Sequence, residues 1–479
     1  MPTDPLLDRF DRVVAREPLA PLVVAGACRT SAEALDALAR AAFSRLDAAH
    51  LPPGTAVGLI AANGPGFLAS LLAVRRAGWT ALLMDAQTPE SESRRIAQAL
   101  GAPAVLVCRC GWPSGPDDWR VSNLPTPSPL VTSDDAVIKL TSGSTGLPRG
   151  IATPGAALLA DDAGLTATMG IRQDDRLLTT IPLSHSYGLS SLALPCLTRG
   201  TILVLPDDRS VFSPLDAARN GEATVFPTVP AALDAMIRLA EPPPLPPGLR
   251  LVLTAGAPLA AETSRRFFEL YGRRVHVFYG ASECGGICYD REGGGAERGT
   301  VGEPVEGVGV SLSPVAGNGG EGLVTVRSAA VARGYLPALA EDCDKLGGGT
   351  FIAGDLAAFE GGEIRLRGRL DDLINVKGRK VNPREVETVL CELAGVEEAV
   401  ALGVVPPGRS EEVLRAVVCC RPGRLTAAEV LAWCRSNLAA HKVPRSLVLV
   451  AEIPRTARGK LDRSALAGLR TGQADPASG

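Results

Sequence analysis

The hydrophobic positions fall into short runs cut by turn residues, and from about residue 54 the runs alternate in kind. TAVGLIAA (55–62) reads as a strand, GFLASLLAVRRAGW (66–79) as a helix and TALLMDA (80–86) as a strand. AVIKL (136–140) reads as a short buried strand. RLLTTIPL, TILVLP, ATVFPTV, RLVLTAG and RVHVFYG are strand-like further on, with helix-like PAALDAMIRLA and AETSRRFFELYG between some of them. Strands that alternate with helices imply βαβ units and largely parallel sheets, so the fold class is α/β. In such sheets, ligands sit in loops at the carboxyl ends of strands.

The pattern changes twice. Glycine clusters at Gly293–Gly295 and Gly317–Gly320 mark turns in a more β-rich section. After Arg369 the composition becomes more polar, with DDLINVKGRKVNPREVE. A smaller α+β segment follows: VLRAVVCC as a strand, TAAEVLAWCRSNLA as a helix, PRSLVLVAEIP as a strand. Thr426 and Glu429 have the spacing of a capping box at the start of that helix. The boundary falls near Arg369–Asp372. This predicts a large N-terminal domain (1–369) of mixed sheets flanked by helices with a β-rich subdomain, and a small α+β C-terminal domain (370–479).

Composition narrows the function classes. The 479 residues are 46% hydrophobic and 21% charged with a net charge of −3, as in ordinary globular proteins. Aromatic residues are only 4% and no basic run interleaves with them, which argues against nucleic acid. The longest apolar stretch, Gly54–Val74, is broken by Asn63-Gly64-Pro65-Gly66, so it is a strand, a turn and a helix rather than a membrane span. The charged start MPTDPLLDRFDRVVAREP carries no signal-peptide core. Eleven cysteines, an odd number, suit a reduced, cytoplasmic compartment. Cys108-x-Cys110 and Cys284-x3-Cys288 lack a second pair or histidine at zinc spacing.

The candidate chemistry starts at LTSGSTGLPRG (Leu140–Gly150), directly after AVIKL. Its glycines let the backbone approach a ligand, successive N–H groups can form an anion-binding concavity, and Ser142, Ser144 and Thr145 add hydroxyls. A flexible surface turn is the alternative. Neither GxxxxGK[ST] nor GxGxxG is present, so a phosphate here is held by another kind of loop.

Six further stretches follow in order: PLSHSYGL (Pro182–Leu189), TAGAPL (Thr254–Leu259), VFYGASECGG (Val277–Gly286), GDLAAF (Gly354–Phe359), GRLDDLINVKGRKVNPREVE (Gly368–Glu387) and PRTARGKLDR (Pro454–Arg463). With the Gly/Ser/Thr loop they resemble the adenylate-forming superfamily, most closely its acyl- and aryl-CoA ligases. The likeness covers residues from about 30 to 465. It implies two steps: a carboxylic acid attacks the α-phosphate of ATP to give an acyl-adenylate and pyrophosphate, then a thiol displaces AMP. It also implies a small C-terminal domain that rotates between the steps.

Carried over residue by residue, the resemblance places Thr141, Ser142, Gly143, Ser144, Thr145 and Gly146 around the β- and γ-phosphates. Arg149 stands where the family usually has lysine. Tyr279 would stack on adenine, with Gly256, Ala257 and Pro258 opposite and Gly280 and Ala281 beside it. Ser282 would touch the α-phosphate and Glu283 would hold Mg²⁺. Asp355, assisted by Arg369, would accept hydrogen bonds from the ribose. Lys460 would bridge carboxylate and α-phosphate during adenylation. Asp371 would be the hinge, and Gly378 would face inward for thioester formation. His185 matches a gating or positioning residue beside the substrate carboxylate.

The segment Ser184–Ser191 contains no acid, whereas amino-acid-activating relatives place an aspartate just after the His185 position. An unpaired ammonium in a pocket is costly, so the expected substrate is an aryl or medium acyl acid without an α-amine. Its pocket is assigned to Tyr187, Gly188, Phe226, Thr228, Ala281, Cys284 and Gly285. The acceptor is the thiol of coenzyme A, or alternatively the phosphopantetheine of a carrier protein. A further alternative is an inactive nucleotide-binding relative; against it, Lys460, Glu283 and Asp355 are all present.

Overall fold

A computed structural model describes all residues except 1–3, 48–49, 127, 133, 142–147, 207–212, 240, 316–320, 340–341, 371–373, 377–378, 382, 406–412, 439–441, 456–460 and 470–479. The chain divides into two compact units. The first comprises Met1–Ser313, Val324–Ala353 and Phe359–Arg365. The second comprises Pro314–Leu323, Gly354–Ala358 and Leu366–Gly479. Two short segments before residue 370, one of them carrying Asp355, therefore group with the C-terminal unit.

Two large sheets organise the first unit. One runs Glu303–Pro304, Gly285–Tyr289, Val275–Ala281, Leu251–Thr254, Val225–Thr228, Arg176–Leu178, Ile202–Val204, Pro21–Ala25, Cys28–Ser31. Its interior pairs are parallel and its edges antiparallel. The other runs Gly334–Leu336, Arg149–Pro154, Asp135–Thr141, Thr80–Met84, Ala56–Ala61, Ala104–Cys108, Arg120–Asn123. The strands foreseen from AVIKL, TAVGLIAA and TALLMDA are Asp135–Thr141, Ala56–Ala61 and Thr80–Met84, and they form its parallel centre.

The first sheet is buried on both faces, with residues alternating as a pleated strand requires. Leu177, Leu203, Val225 and Leu253 join a core shared with Val57, Leu59, Ala81 and Val137 of the second sheet. Their neighbours Leu178, Val204, Phe226 and Val252 pack on the opposite face with Leu233 and Phe267. Helices Ala32–Asp47 and Pro65–Arg76 contribute to the shared core. The helix Pro5–Arg16 begins at Asp4, whose carboxylate accepts from Leu6 N–H and Leu7 N–H at 2.8 and 3.1 Å, with Pro5 in the first turn.

The β-rich section is a five-stranded sheet of Gly309–Pro314, Gly322–Arg327, Thr350–Glu360, Leu346–Gly347 and Glu363–Arg369. In the second unit, Val396–Val404, Val413–Cys420 and Ser446–Val450 form a three-stranded sheet. Helices Pro383–Cys391 and Ala427–Asn437 supply its core with Val386, Leu390, Val430 and Cys434. The capping box is present: Glu429 accepts from Thr426 N–H at 2.8 Å and Thr426 Oγ1 accepts from Glu429 N–H at 3.3 Å. No described helix is long and apolar enough to cross a membrane.

Candidate active site

Thr141 ends the strand Asp135–Thr141, and the chain returns antiparallel as Arg149–Pro154, with Thr141 opposite Arg149. The Gly/Ser/Thr stretch is thus the connection of a strand pair. Ser142, Gly143, Ser144, Thr145 and Gly146 lie outside the described residues, as do Asp371, Gly378 and Lys460. Arg149 forms a two-point ion pair with Asp342 and lies 4.5 Å over the Tyr335 ring. The guanidinium holds the Asp342 carboxyl below the usual carboxylate range.

The stretch YGASECGG folds as a hairpin between Val275–Ala281 and Gly285–Tyr289. Ser282, Glu283 and Cys284 form its loop. A register shift opposite Tyr279/Gly280 leaves Ile287 as an extra residue, a bulge in the returning strand Gly285–Tyr289, a feature common beside functional sites. Gly285 takes φ +71°, the left-handed residue that closes a three-residue hairpin loop. A Cβ there would lie 2.2 Å from a carboxylate oxygen of Asp161, so the position requires glycine twice over. Cys284 is buried, and burial pushes its thiol pKa up.

Glu283 is held from two sides. Its carbonyl accepts from Ala332 N–H at 2.7 Å, and its Oε1 accepts from Tyr335 O–H at 2.8 Å. Burial, then the Glu283 charge, pushes the Tyr335 pKa up, which keeps the phenol a donor. Ser282 Oγ accepts from Ser186 Oγ at 2.7 Å. The loop of YGASECGG and the loop of PLSHSYGL, some 96 positions apart in sequence, therefore meet side chain to side chain.

The PLSHSYGL segment is clamped from below. Asn63 donates to Ile181 O at 3.0 Å and accepts from Leu183 N–H at 2.9 Å. Gly188 folds so tightly on this segment that a Cβ would lie 2.1 Å from Pro182 O. His185 precedes the short helix Ser186–Gly188, and its half-exposed ring places Nε2 3.3 Å from Asp85 Oδ2. Tyr187 packs its ring 5.7 Å from Phe278 and donates to Leu253 O at 3.4 Å.

A cavity of about 10 Å³, room for about one water, lies beside the chain that follows PLSHSYGL. It is lined by Leu165 and Met169 of the helix Gly155–Met169, by Ser190 and Ser191, and by Val225, Pro227 and Leu253 of two parallel strands. None of the residues assigned to the acid's pocket from sequence lines this cavity, Phe226 included. Phe226 sits between Val225 and Pro227, so strand alternation turns it to the opposite face, into the core with Leu233 and Phe267. Thr228 and its parallel partner Thr254 are buried, and each hydroxyl lacks a hydrogen-bond partner among the described residues. Gly256, Ala257 and Pro258 follow Leu251–Thr254 as an exposed turn, with Gly256 at φ +85°.

In the second unit Asp355 lies on Thr350–Glu360 and Arg369 ends Glu363–Arg369, with Arg369 Nε 4.0 Å from Asp355 Oδ1.

The comparisons with known proteins fit this arrangement. A model of the AMP-binding enzyme family matches residues 10–336, and one of the AMP-binding enzyme C-terminal domain matches residues 385–460. The chain belongs to the AMP-binding enzyme family. Feruloyl-CoA synthase from Amycolatopsis is 30% identical over 470 residues, covering 91% of this chain and 93% of that protein. O-succinylbenzoate coenzyme A synthetase from Bacillus subtilis, solved with AMP, superposes with a TM-score of 0.82 at 21% identity, covering 97% of this chain and 99% of that one. An amide bond synthetase from Marinactinospora thermotolerans gives 0.80 at 25% identity, covering 96% and 99%. The chain is accordingly an adenylate-forming ligase, within a family that includes acyl- and aryl-CoA ligases.

The family's magnesium ion can be tested against the residues present. Among the described residues no group of three or more His, Cys, Asp or Glu could form an all-protein metal cage. Mg²⁺ does not need one: it is typically bound by one or two carboxylates plus substrate phosphates and water. Glu283, oriented through one oxygen by Tyr335, suits that mode. Sequence reading missed Tyr335 and Asn63, whose partners lie far away in the chain.

Proposed function

We propose that this AMP-binding enzyme activates a carboxylic acid without an α-amine, aryl or medium acyl, and passes it to the thiol of coenzyme A. The observation that carries the reading is the meeting of Ser186, Ser282, Glu283 and Tyr335, which joins the two loops that would hold carboxylate and α-phosphate. Negative charge grows on the phosphate oxygens as the acid attacks, so preplaced donors and a cation accelerate the step. Thr141 and the loop after it would hold the outer phosphates. Ser282 would face the α-phosphate, Tyr279, Gly280 and Ala281 the adenine, and Glu283 would hold Mg²⁺, whose charge offsets that of the phosphates. Gly256, Ala257 and Pro258 would close the adenine's other side, while Asp355 and Arg369 would bind ribose. His185, steered by Asp85, would position the carboxylate. Residues 1–369 would carry adenylation, and residues 370–479, hinged at Asp371, would bring Lys460 to the first step and Gly378 to the second.

The absence of an α-amine is supported by where the acids lie. Ser184–Ser191 has none, and the buried carboxylate nearest to it in the contacts, Asp161, is engaged by Ser190 and by the Gly286 N–H. Free cysteines throughout support a reducing, cytoplasmic setting. Likeness to an amide bond synthetase favours an amine as the second acceptor to test, and the phosphopantetheine of a carrier protein offers the same thiol as coenzyme A.

Acid-dependent ATP–pyrophosphate exchange tests the reading. Benzoic, hydroxycinnamic, hexanoic and octanoic acids are expected to include an active substrate, and the standard α-amino acids none. An amino acid that outperforms every simple acid would overturn the substrate class.

A further inference from the structure

Arg149 opens the strand Arg149–Pro154, just past the Gly/Ser/Thr loop. Its side chain is engaged at several points. Nη1 donates to Asp342 Oδ1 at 3.1 Å, and Nη2 pairs with Asp342 Oδ2 and donates to Pro337 O at 3.3 Å. The guanidinium carbon lies 4.5 Å from the centre of the Tyr335 ring. Asp342 is itself fixed by Leu339 N–H, which donates to Oδ2 at 3.2 Å. Pairing a carboxylate with two nitrogens while stacking on a ring is what a planar guanidinium does and an ammonium does not.

Tyr335 carries this arrangement to the hairpin loop. It is the middle residue of the strand Gly334–Leu336, which pairs antiparallel with Arg149–Pro154, Tyr335 opposite Ile151 and Leu336 opposite Gly150. Its ring meets Arg149, and its O–H donates to Glu283 Oε1 at 2.8 Å. Just before it, Ala332 N–H donates to the Glu283 carbonyl at 2.7 Å, and Arg333 N–H donates to Ala152 O at 2.8 Å. One short segment therefore holds Glu283 by backbone and by side chain, and the same segment is docked on the strand that leaves the Gly/Ser/Thr loop. All of these residues belong to the first unit. A glutamate side chain is rich in rotamers, and fixing it beforehand lowers the cost of binding whatever it holds.

We infer that Tyr335 is a positioning residue that presets the Glu283 carboxylate for Mg²⁺, and that Arg149 and Asp342 serve the same site by holding the Tyr335 ring rather than by touching phosphate. The inference rests on the adenylation reading above, in which Glu283 holds Mg²⁺. The phenol occupies one carboxylate oxygen and so restricts the direction of the other. Outer partners of this kind orient a metal ligand and tune its affinity. Tyr335 acts through Glu283, and Asp342 acts through Arg149 and Tyr335.

The test compares Tyr335→Phe, Asp342→Asn and the double variant Tyr335→Phe/Asp342→Asn with the parent enzyme. Calorimetry measures the binding of ATP in excess Mg²⁺, of ATP in EDTA and of AMP in EDTA, all without acid, so nothing turns over. Loss of an outer partner of a metal ligand typically costs about 10- to 100-fold in metal affinity or activity. Tyr335→Phe keeps the ring beside Arg149 and removes only the hydroxyl. It is expected to raise the Kd of ATP in Mg²⁺ about 10-fold or more and to leave the Kd of AMP unchanged. Asp342→Asn should act in the same direction and by less. It should add nothing in the Tyr335→Phe background, because members of one network do not add. No change in Tyr335→Phe, or equal weakening of AMP and of ATP in Mg²⁺, would overturn the positioning role. Asp342→Asn that left ATP binding in Mg²⁺ unchanged or tightened it, or that added its full effect to Tyr335→Phe, would overturn the part assigned to Arg149 and Asp342. Parent enzyme that binds ATP no better in Mg²⁺ than in EDTA would instead overturn the role of Glu283, and parent enzyme without acid-dependent pyrophosphate exchange would overturn the adenylation reading itself.

Discussion

Replacing Lys460 with alanine is expected to slow acid-dependent pyrophosphate exchange by about 100- to 1,000-fold, the usual cost of one preorganised donor at a developing oxyanion. Lysine is a compact point charge on a flexible stem, suited to bridging a carboxylate and a phosphate as charge passes between them. In the proposed mechanism the C-terminal domain brings Lys460 to the first step and removes it for the second. Thioester formation from supplied acyl-adenylate should therefore remain close to the parent rate. Gly378→Leu should do the reverse, hindering the thiol and sparing exchange. The two half-reactions, measured separately for each variant, give the answer. Equal slowing of both steps by Lys460→Ala would contradict the alternation of domains.

The second large effect is on stability. Asp175 is 2% exposed and sits where three parallel strands begin. It accepts from Arg172 N–H at 2.7 Å, from Thr224 Oγ1 at 2.7 Å and from Arg250 Nε at 3.0 Å. Thr224 leads into Val225–Thr228, Arg250 into Leu251–Thr254, and Asp175 itself into Arg176–Leu178. These strands carry Val225, Pro227 and Leu253 to the cavity. Asp175→Ala leaves the Arg250 guanidinium without its carboxylate, and breaking a buried pair on one side costs about 3–5 kcal/mol. Urea unfolding is expected to show that loss. Burial would raise the Asp175 pKa, but Arg250, the Arg172 N–H and Thr224 outweigh it and the net shift is downward. The folded state thus binds the proton less tightly than the unfolded chain. The contribution is complete above the ordinary carboxylate range and is lost as pH falls through the lower folded value. Asp175→Asn should flatten the acid side of the stability profile, and an unchanged acid slope would contradict this role.

What the sequence disclosed follows from which physical signals are local. The capping box at Thr426 and Glu429 needs only four residues, and it is present. Strands such as Ala56–Ala61 and Val413–Cys420 were legible because their apolar runs end at turn residues. RLLTTIPL was read as a long strand, but only Arg176–Leu178 pairs as one; Pro182, which has no N–H to donate, lies in the part that leaves the sheet. ATVFPTV is apolar on both faces, so no pattern within it distinguishes Val225, which meets the cavity, from Phe226, which does not. The Asp161–Ser190 hydrogen bond joins a helix to a segment well beyond it, and the Ser186–Ser282 contact joins two loops far apart in the chain. Such pairings belong to tertiary structure, and a single sequence carries only one half of each. The roles assigned to Tyr279, Ser282 and Glu283 came from the ordered motifs rather than from any one residue's surroundings.

The most direct test of the central claim is to identify the phosphorus products of single-turnover reactions with ATP, Mg²⁺ and the best acid, before any thiol is added. The expected products are pyrophosphate and enzyme-bound acyl-adenylate, with AMP released once coenzyme A is supplied. Formation of ADP and inorganic phosphate would contradict adenylation by this protein.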